Sequence, residues 1–202
     1  MQTLVIYCHP WEGSFNHAVL EAVERRLEHE GAGYQVIDLY ADGFVPALSR
    51  EELAGYNEGR VLDSLVERYQ KLVAAAERLV IVTPIWWNDV PAMLRGFVDK
   101  VMLAGFSWVG TGSGLLGKLD HIASCDLYTT SAEPTEHLEL ALRSSFIEGT
   151  LAQLGIGGLP EQGADVTKPT SNRRWHNFGL MDASTPAQRE AWLRAIESGE
   201  AL

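Results

Sequence analysis

The sequence predicts an α/β sandwich around a mainly parallel, five-stranded sheet. Apolar runs of strand length alternate along the chain with amphipathic segments at helical spacing. The run Leu79 to Val82 is apolar and largely β-branched, the composition of a strand buried on both faces. It passes directly into Pro84-Ile85-Trp86-Trp87-Asn88-Asp89-Val90-Pro91 and then into a helix, the order expected of a right-handed crossover between parallel strands.

The elements follow in order. Thr3 to Cys8 reads as the first strand, and the turn His9-Pro10-Trp11-Glu12-Gly13 leads to Ser14-Phe15-Asn16 and a helix. In that helix Val19, Leu20, Val23 and Leu27 form the apolar stripe, opposite Glu21, Glu24, Arg25 and Glu28. Gly31 and Gly33 stop it, and Tyr34 to Leu39 is the second strand. Tyr40 to Gly59 is mixed and reads as a surface excursion, and Leu62 to Ala76 is the second helix. After the third strand and the double-tryptophan turn, Pro91 suits the first turn of a helix whose buried stripe is Leu94, Phe97, Val98 and Val101. Ala104 to Gly117 is glycine-rich and carries Phe106 and Trp108. Ile122 to Thr129 is the fourth strand, and Leu138 to Leu154 a helix. The fifth strand is expected at Ile156 to Leu159 or around Val166. Thr185-Pro186-Ala187-Gln188 combines a capping hydroxyl, an N1 proline and a box-type glutamine, so a last helix starts there and buries Trp192, Leu193 and Ile196.

At 202 residues, 46% hydrophobic and 21% charged, the chain reads as one soluble domain over 1–202. A net charge of −11 argues against nucleic acid or an anionic membrane surface as the main partner. No run approaches the about 18 consecutive apolar residues of a membrane span, and no signal peptide is visible, so a cytoplasmic location is expected. Cys8 and Cys125 both fall in apolar strands and read as core thiols, not a disulfide or metal pair.

In open α/β sheets ligands bind beyond the carboxyl ends of the strands, where strand order reverses. Three segments qualify: His9 to Asn16, Pro84 to Asn88, and Thr129 to Ala132. The first ends on a helix N-terminus, where free N–H groups favour an anion and Ser14, Asn16 and His9 add side-chain donors. Two adjacent tryptophans are costly to expose and point in different directions, so at least one lines a cleft, where it suits a flat heterocycle. Other motifs fail on context. Gly112 to Gly117 spells a dinucleotide fingerprint but precedes a strand and opens no helix, and with Lys118 it lacks the Ser or Thr of a P-loop because Leu119 stands there. Gly105 to Val109 lacks the closing glycine of a nucleophile elbow, and the six histidines show no metal-ligand spacing.

Taken together, these segments resemble the flavodoxin-like NAD(P)H:quinone oxidoreductases, the DT-diaphorase group. The likeness rests on His9 with Ser14-Phe15-Asn16-His17-Ala18, on Asp38-Leu39-Tyr40-Ala41 through Phe44, Pro46 and Ser49-Arg50, and most specifically on Pro84-Ile85-Trp86-Trp87, Val90-Pro91-Ala92 and Leu94-Arg95-Gly96-Phe97 through Gly105-Phe106. It covers most of residues 1 to 132. The resemblance implies a flavodoxin-like sandwich, a non-covalent flavin, NAD(P)H as co-substrate, and active sites near a homodimer interface. By position, it implies that His9, Ser14, Phe15 and Asn16 hold the flavin phosphate. Pro84, Ile85, Trp86, Trp87 and Asn88 then contact the isoalloxazine, and Thr129, Thr130, Ser131 and Ala132 border its pyrimidine side. Phe106 and Trp108 line the substrate pocket. Ser131-Ala132 replaces two glycines usual in the family, and a tyrosine usual a few residues later is missing, with His137 near its place. No catalytic proton donor is therefore carried over.

The expected activity is hydride transfer from NAD(P)H through the flavin to a quinone-like acceptor, both substrates using one pocket in turn. FMN is expected ahead of FAD, because the chain is short. Two other readings stand beside the enzyme. One is an ancillary flavoprotein subunit of a glutathione-gated potassium efflux system, which the sequence also resembles. The other is a flavodoxin-type electron carrier, against which His9 to Asn16 speaks, since it is not the Ser/Thr-Gly-rich phosphate loop of a carrier.

Overall fold

The computed structural model describes residues 1–112, 114–159, 165 and 167–200. Its main sheet holds five parallel strands, β1 (Gln2–Tyr7), β2 (Gly33–Asp38), β3 (Arg78–Pro84), β6 (Ser124–Thr130) and β7 (Arg173–Phe178), in the order β2-β1-β3-β6-β7. A short antiparallel hairpin, β4 (Trp108–Thr111) with β5 (Gly114–Gly117), occupies the glycine-rich stretch. Gly112 sits at its tip, and Ser113 lies outside the described residues.

Strand residues alternate between two cores. On one face Val5, Tyr7, Val80, Val82 and Tyr128 meet Val19, Leu20, Val23 and Leu27 of α1 (Phe15–His29) and Ile196 of α6 (Pro186–Ser198). On the other, Leu4, Ile6, Leu79, Ile81, Cys125 and Leu127 pack against α3 (Ser64–Ala75), α4 (Ala92–Val101) and α5 (Thr135–Leu142). Each fully buried Leu, Val or Ile contributes about 1.5–3 kcal/mol, so the α1 stripe alone outweighs any loss of helix propensity at its valines. Helix α1 starts at Ser14, whose hydroxyl accepts from the His17 N–H, and α6 carries the full capping box between Thr185 and Gln188.

The structure corrects the sequence reading in three places. The surface excursion contains a short helix, α2 (Arg50–Ala54), capped by a Ser49–Glu52 box. The helix expected from Leu138 to Leu154 starts earlier, at Thr135, and opens into π geometry over Arg143–Leu151. The fifth strand of the sheet does not lie at Ile156 to Leu159. Ile156 to Leu159 is turn, with Gly155, Gly157 and Gly158 at φ +91°, +74° and +96°, and Val166 lies outside the described residues. The fifth strand is instead Arg173–Phe178, whose polar residues hid it. Among the described residues no helix is long and apolar enough to cross a membrane, and no group of three or more His, Cys, Asp or Glu could hold a metal.

Candidate functional site

From β1 the chain goes outward to β2, then returns to the opposite side of β1 as β3. The loops after β1 and β3 thus diverge and leave a crevice at the carboxyl edge of the sheet. A cleft of about 380 Å3 opens there, and its walls include His9, Ser14, Phe15, Asn16, Pro84, Ile85, Trp86, Thr130, Ser131 and Ala132. Segments far apart in the chain are thus brought together by parallel register, Ile85 N–H donating to Thr130 O at 2.8 Å.

The first wall is the N-terminus of α1. The Ser14 hydroxyl takes the His17 N–H, while among the described residues the N–H groups of Phe15 and Asn16 have no partner. Asn16 is buried; its amide donates to Thr130 Oγ1 at 2.8 Å, and its Oδ1 has no partner. His9 Nδ1 accepts from the Trp11 N–H at 3.1 Å, and its ring lies edge-on to Trp86 at 6.2 Å. Burial pushes the His9 pKa down, partly offset by its contact with the Trp11 carbonyl.

The second wall is the double-tryptophan bend. Trp86 and Asp89 exchange N–H···O bonds of 2.9 and 3.2 Å, and between them Trp87 (φ 52°) and Asn88 (φ 63°) are both left-handed. That is a two-residue hairpin of type I′, usually the preserve of Asn and Gly. A bulky residue at positive φ is an outlier worth a functional explanation. The two indoles do diverge: Trp86 lines the cleft, whereas Trp87 is 99% exposed and, with exposed Asn88, stands outside it. Arg95 braces the hairpin through Asp89 at 2.8 and 3.0 Å.

The third wall follows β6. Thr130, Ser131 and Ala132 border the cleft, but Thr129 is buried beneath it, donating to Asn177 Oδ1 and accepting from Trp175 Nε1. The Ser131 N–H donates to Phe178 O, so of the backbone donors in this turn it is spent on the sheet edge. Asn177 holds the turn through Ser131 Oγ at 3.0 Å and Thr135 Oγ1 at 2.9 Å.

Trp11 lines the cleft from inside the expected His9 to Asn16 segment, and two lining residues fall outside every expected segment: Met181 and Asp182. The last two sit in a short helical turn after β7, so they could not be placed before that strand was. An apolar cavity of about 520 Å3 adjoins the cleft, with Phe178, Leu180 and Trp192 in its wall; Phe15 meets the Phe178 and Trp192 rings at tilted angles from the cleft side. Within one chain Phe106 and Trp108 lie away from the cleft. They pack against the α3–α4 core, with Trp108 Nε1 bonded to Met102 O. His137 is exposed on α5, paired with Glu133 at 3.3 Å, and does not line the cleft.

A family described by its flavodoxin-like fold matches residues 1–171 of this chain. An uncharacterized NAD(P)H oxidoreductase of Haemophilus influenzae is 27% identical over 203 residues, 98% of this chain and 100% of its own. The rat NAD(P)H dehydrogenase (quinone) 1 is 32% identical over 124 residues, 53% of this chain and 45% of the rat enzyme, so less than half of that enzyme's length is matched. Among solved structures, Smu.1420 of Streptococcus mutans UA159 superimposes with a TM-score of 0.80 at 25% identity, covering 98% of this chain and 97% of that one. An NAD(P)H:quinone oxidoreductase of Methanothermobacter marburgensis gives 0.82 at 24% identity, covering 98% and 96%.

Proposed function

We propose, for a chain that belongs to the family with the flavodoxin-like fold, a flavin-dependent NAD(P)H oxidoreductase that passes hydride to quinones or similar acceptors. One observation carries this reading: a helix N-terminus with unengaged N–H groups and Trp86 of the double-tryptophan hairpin line the same cleft. The residues fit a flavin phosphate at one end and its ring at the other. Phe15 and Asn16 N–H groups suit the phosphate, and the orphaned, buried Asn16 Oδ1 awaits a donor. That local donor set makes an anion compatible with a net charge of −11.

The group, when bound, supplies two-electron hydride exchange at its ring; the protein supplies position and electrostatics. Trp86 and Ile85 give the ring a flat apolar floor, and Trp87 and Asn88 stand at the rim where a substrate enters. Thr130 to Ala132 set the polar edge opposite. With the Ser131 N–H engaged, charge stabilisation there falls to the Ala132 N–H and the side chains around it. Because the same mouth serves both substrates, NAD(P)+, having given up its hydride, leaves before the acceptor enters, a ping-pong order. A homodimer fits the exposed Trp87, and FMN is the flavin proposed. The 520 Å3 apolar cavity beside Phe15 favours FAD as a second reading, since it gives an adenosine a place to lie.

The test is the visible spectrum of the purified protein and the mass of the flavin a denaturant releases, followed by initial rates at varied NADH, NADPH and quinone. Parallel reciprocal plots support the scheme. Colourless protein that stays so with FMN and FAD, or intersecting plots, overturns it.

A further inference from the structure

At the other end of β6 and β7 a second cavity, of about 390 Å3, is walled by Arg26, Tyr128, Arg143, Arg173, Arg174 and His176, with the carboxylates of Asp126 and Glu200 also on its surface. No residue lines both this cavity and the cleft, so the two are separate sites.

The arginines differ in what they have left to give. Arg173 is fully engaged: Nε and Nη2 donate to Glu148 Oε2 at 2.8 and 2.6 Å, and Nη1 to the carbonyls of Ile156 and Gly158. Arg174 places Nε and Nη2 on the two oxygens of Asp126, both at 2.7 Å, and Arg78 donates to Asp126 and Glu30 at 3.1 Å. Arg26 is held by Glu30 and the Tyr128 hydroxyl. Arg78 leaves its Nε buried without a partner among the described residues, but both of its Nη groups are paired; Arg143 is the least engaged. It is 6% exposed, yet among the described residues only its Nη2 has a partner, the half-exposed Glu139 at 3.1 Å; Nε and Nη1 are buried without any. His176 Nδ1, also in this wall, is likewise buried and unpartnered.

The count of buried charge says the same thing. Among the described residues around this cavity three guanidinium groups are buried, those of Arg78, Arg143 and Arg173, against two carboxylates, Asp126 and Glu148. A buried cation lacking a buried counter-ion is costly, and native structures rarely keep one without use. The π geometry is what puts it there. With bonds running from i to i+5, Arg143 and Glu148 fall on one face, so the turn that buries Glu148 for Arg173 also buries Arg143.

We propose that this cavity binds the phosphate group of a small organic phosphate, with the Arg143 guanidinium as its anchor. Phosphate suits it better than a carboxylate. It carries about two negative charges at neutral pH and several acceptor oxygens, matching the free donors of Arg143 and the remaining Nη1 of Arg174. The volume leaves room for a few carbon atoms beside Tyr128. The inference does not depend on the proposed oxidoreductase activity.

The test is calorimetric titration of the protein, saturated with FMN so that the α1 N-terminus is filled, with inorganic phosphate, glycerol 3-phosphate and acetate. Both phosphate probes are expected to bind and acetate is not; tighter glycerol 3-phosphate identifies an ester as the ligand, tighter inorganic phosphate the free ion. Arg143→Met should weaken phosphate binding at least tenfold with the flavin spectrum unchanged. It should also raise the melting temperature in phosphate-free buffer, whereas a merely structural Arg143–Glu139 pair would make the variant melt earlier. Glu139→Gln, which alters only the exposed partner, should tighten phosphate binding severalfold and keeps the test open if Arg143→Met does not fold. No heat from either phosphate probe, equal binding of acetate, or affinities unmoved in both variants overturns the proposal.

Discussion

The Asn16 amide donates to Thr130 Oγ1 at 2.8 Å, tying the first turn of α1 to the carboxyl end of β6 across 114 residues of sequence. This buried bond joins two walls of the cleft, so it sets the cleft's width as well as adding stability. Asn16→Leu and Thr130→Val should each cost about 1–3 kcal/mol in urea unfolding, because each strands a buried polar partner. The double variant should cost less than the sum, since nothing is then left unpaired. Flavin affinity, followed by fluorescence quenching, should fall in all three. Strict additivity in the unfolding data would separate the two residues.

Trp87 holds a left-handed conformation without any packing to hold it there. A left-handed L-residue costs about 1–2 kcal/mol, and glycine's extra chain entropy about 0.5–1. Trp87→Gly should therefore leave the flavin-free protein as stable as before or up to about 1.5 kcal/mol more so. The same change should lower kcat/KM for quinone about tenfold, if the indole serves substrate or a partner subunit. A stabilised variant with undiminished turnover would show that the indole serves neither.

How much of this was legible in sequence depends on where each residue finds its partners. The first four strands announce themselves because both faces are covered by local apolar runs. Strand β7 does not: it reads Arg173-Arg174-Trp175-His176-Asn177-Phe178, and its two arginines are satisfied by Glu148 and Asp126, 25 and 48 residues away. Such pairing has no local pattern. The cleft loops were legible because each follows a readable strand, while Met181 and Asp182 follow the unreadable one. Which tryptophan turns inward was not legible either. A Trp-Asn type I′ turn runs against turn propensity and is set by the Trp86–Asp89 bonds.

Gly96 shows why two distant segments of the family-like pattern occur together. A Cβ there would lie 2.3 Å from Pro46 Cβ and 2.4 Å from Pro46 O, so α4 and the loop after β2 touch through the bare backbone. Alanine would gain about 1 kcal/mol of helix propensity but must push backbone aside, at about 1–3 kcal/mol. Gly96→Ala should be destabilising in net, seen as a lower denaturant midpoint with an unchanged slope. A variant more stable than the parent would mean the loop yields freely.

Burial pushes the Cys8 thiol up to about 12 and raises Cys125 further, in both cases more than nearby donors or arginines can offset. Both are free and buried. The native protein should therefore leave a disulfide reagent such as DTNB unreacted at pH 8 over minutes, then release two equivalents in guanidinium. Rapid titration of either thiol in the native state would contradict the packing around β1 or β6.

Asp126 offers the sharpest pH test. Burial alone would raise its pKa, but hydrogen bonds from His176 and Arg174 and the charges of Arg174 and Arg78 prevail and hold it well below the usual carboxylate range. A depressed carboxylate stabilises the fold fully above its unfolded value near 3.9, and that stability drains away as pH falls below it toward the folded value. Asp126→Asn removes the charge at every pH and leaves Arg78 buried with Glu30 alone, a loss of about 3–5 kcal/mol at pH 7. Urea midpoints of parent and variant should thus lie far apart from pH 7 to about 4.5, then approach each other steadily toward pH 2.5. The direction is decisive. If the carboxylate were instead raised by its burial, the parent would gain stability relative to the variant as the pH falls from 7, and the Arg78–Asp126–Arg174 cluster would not be the ion network described for this end of the sheet.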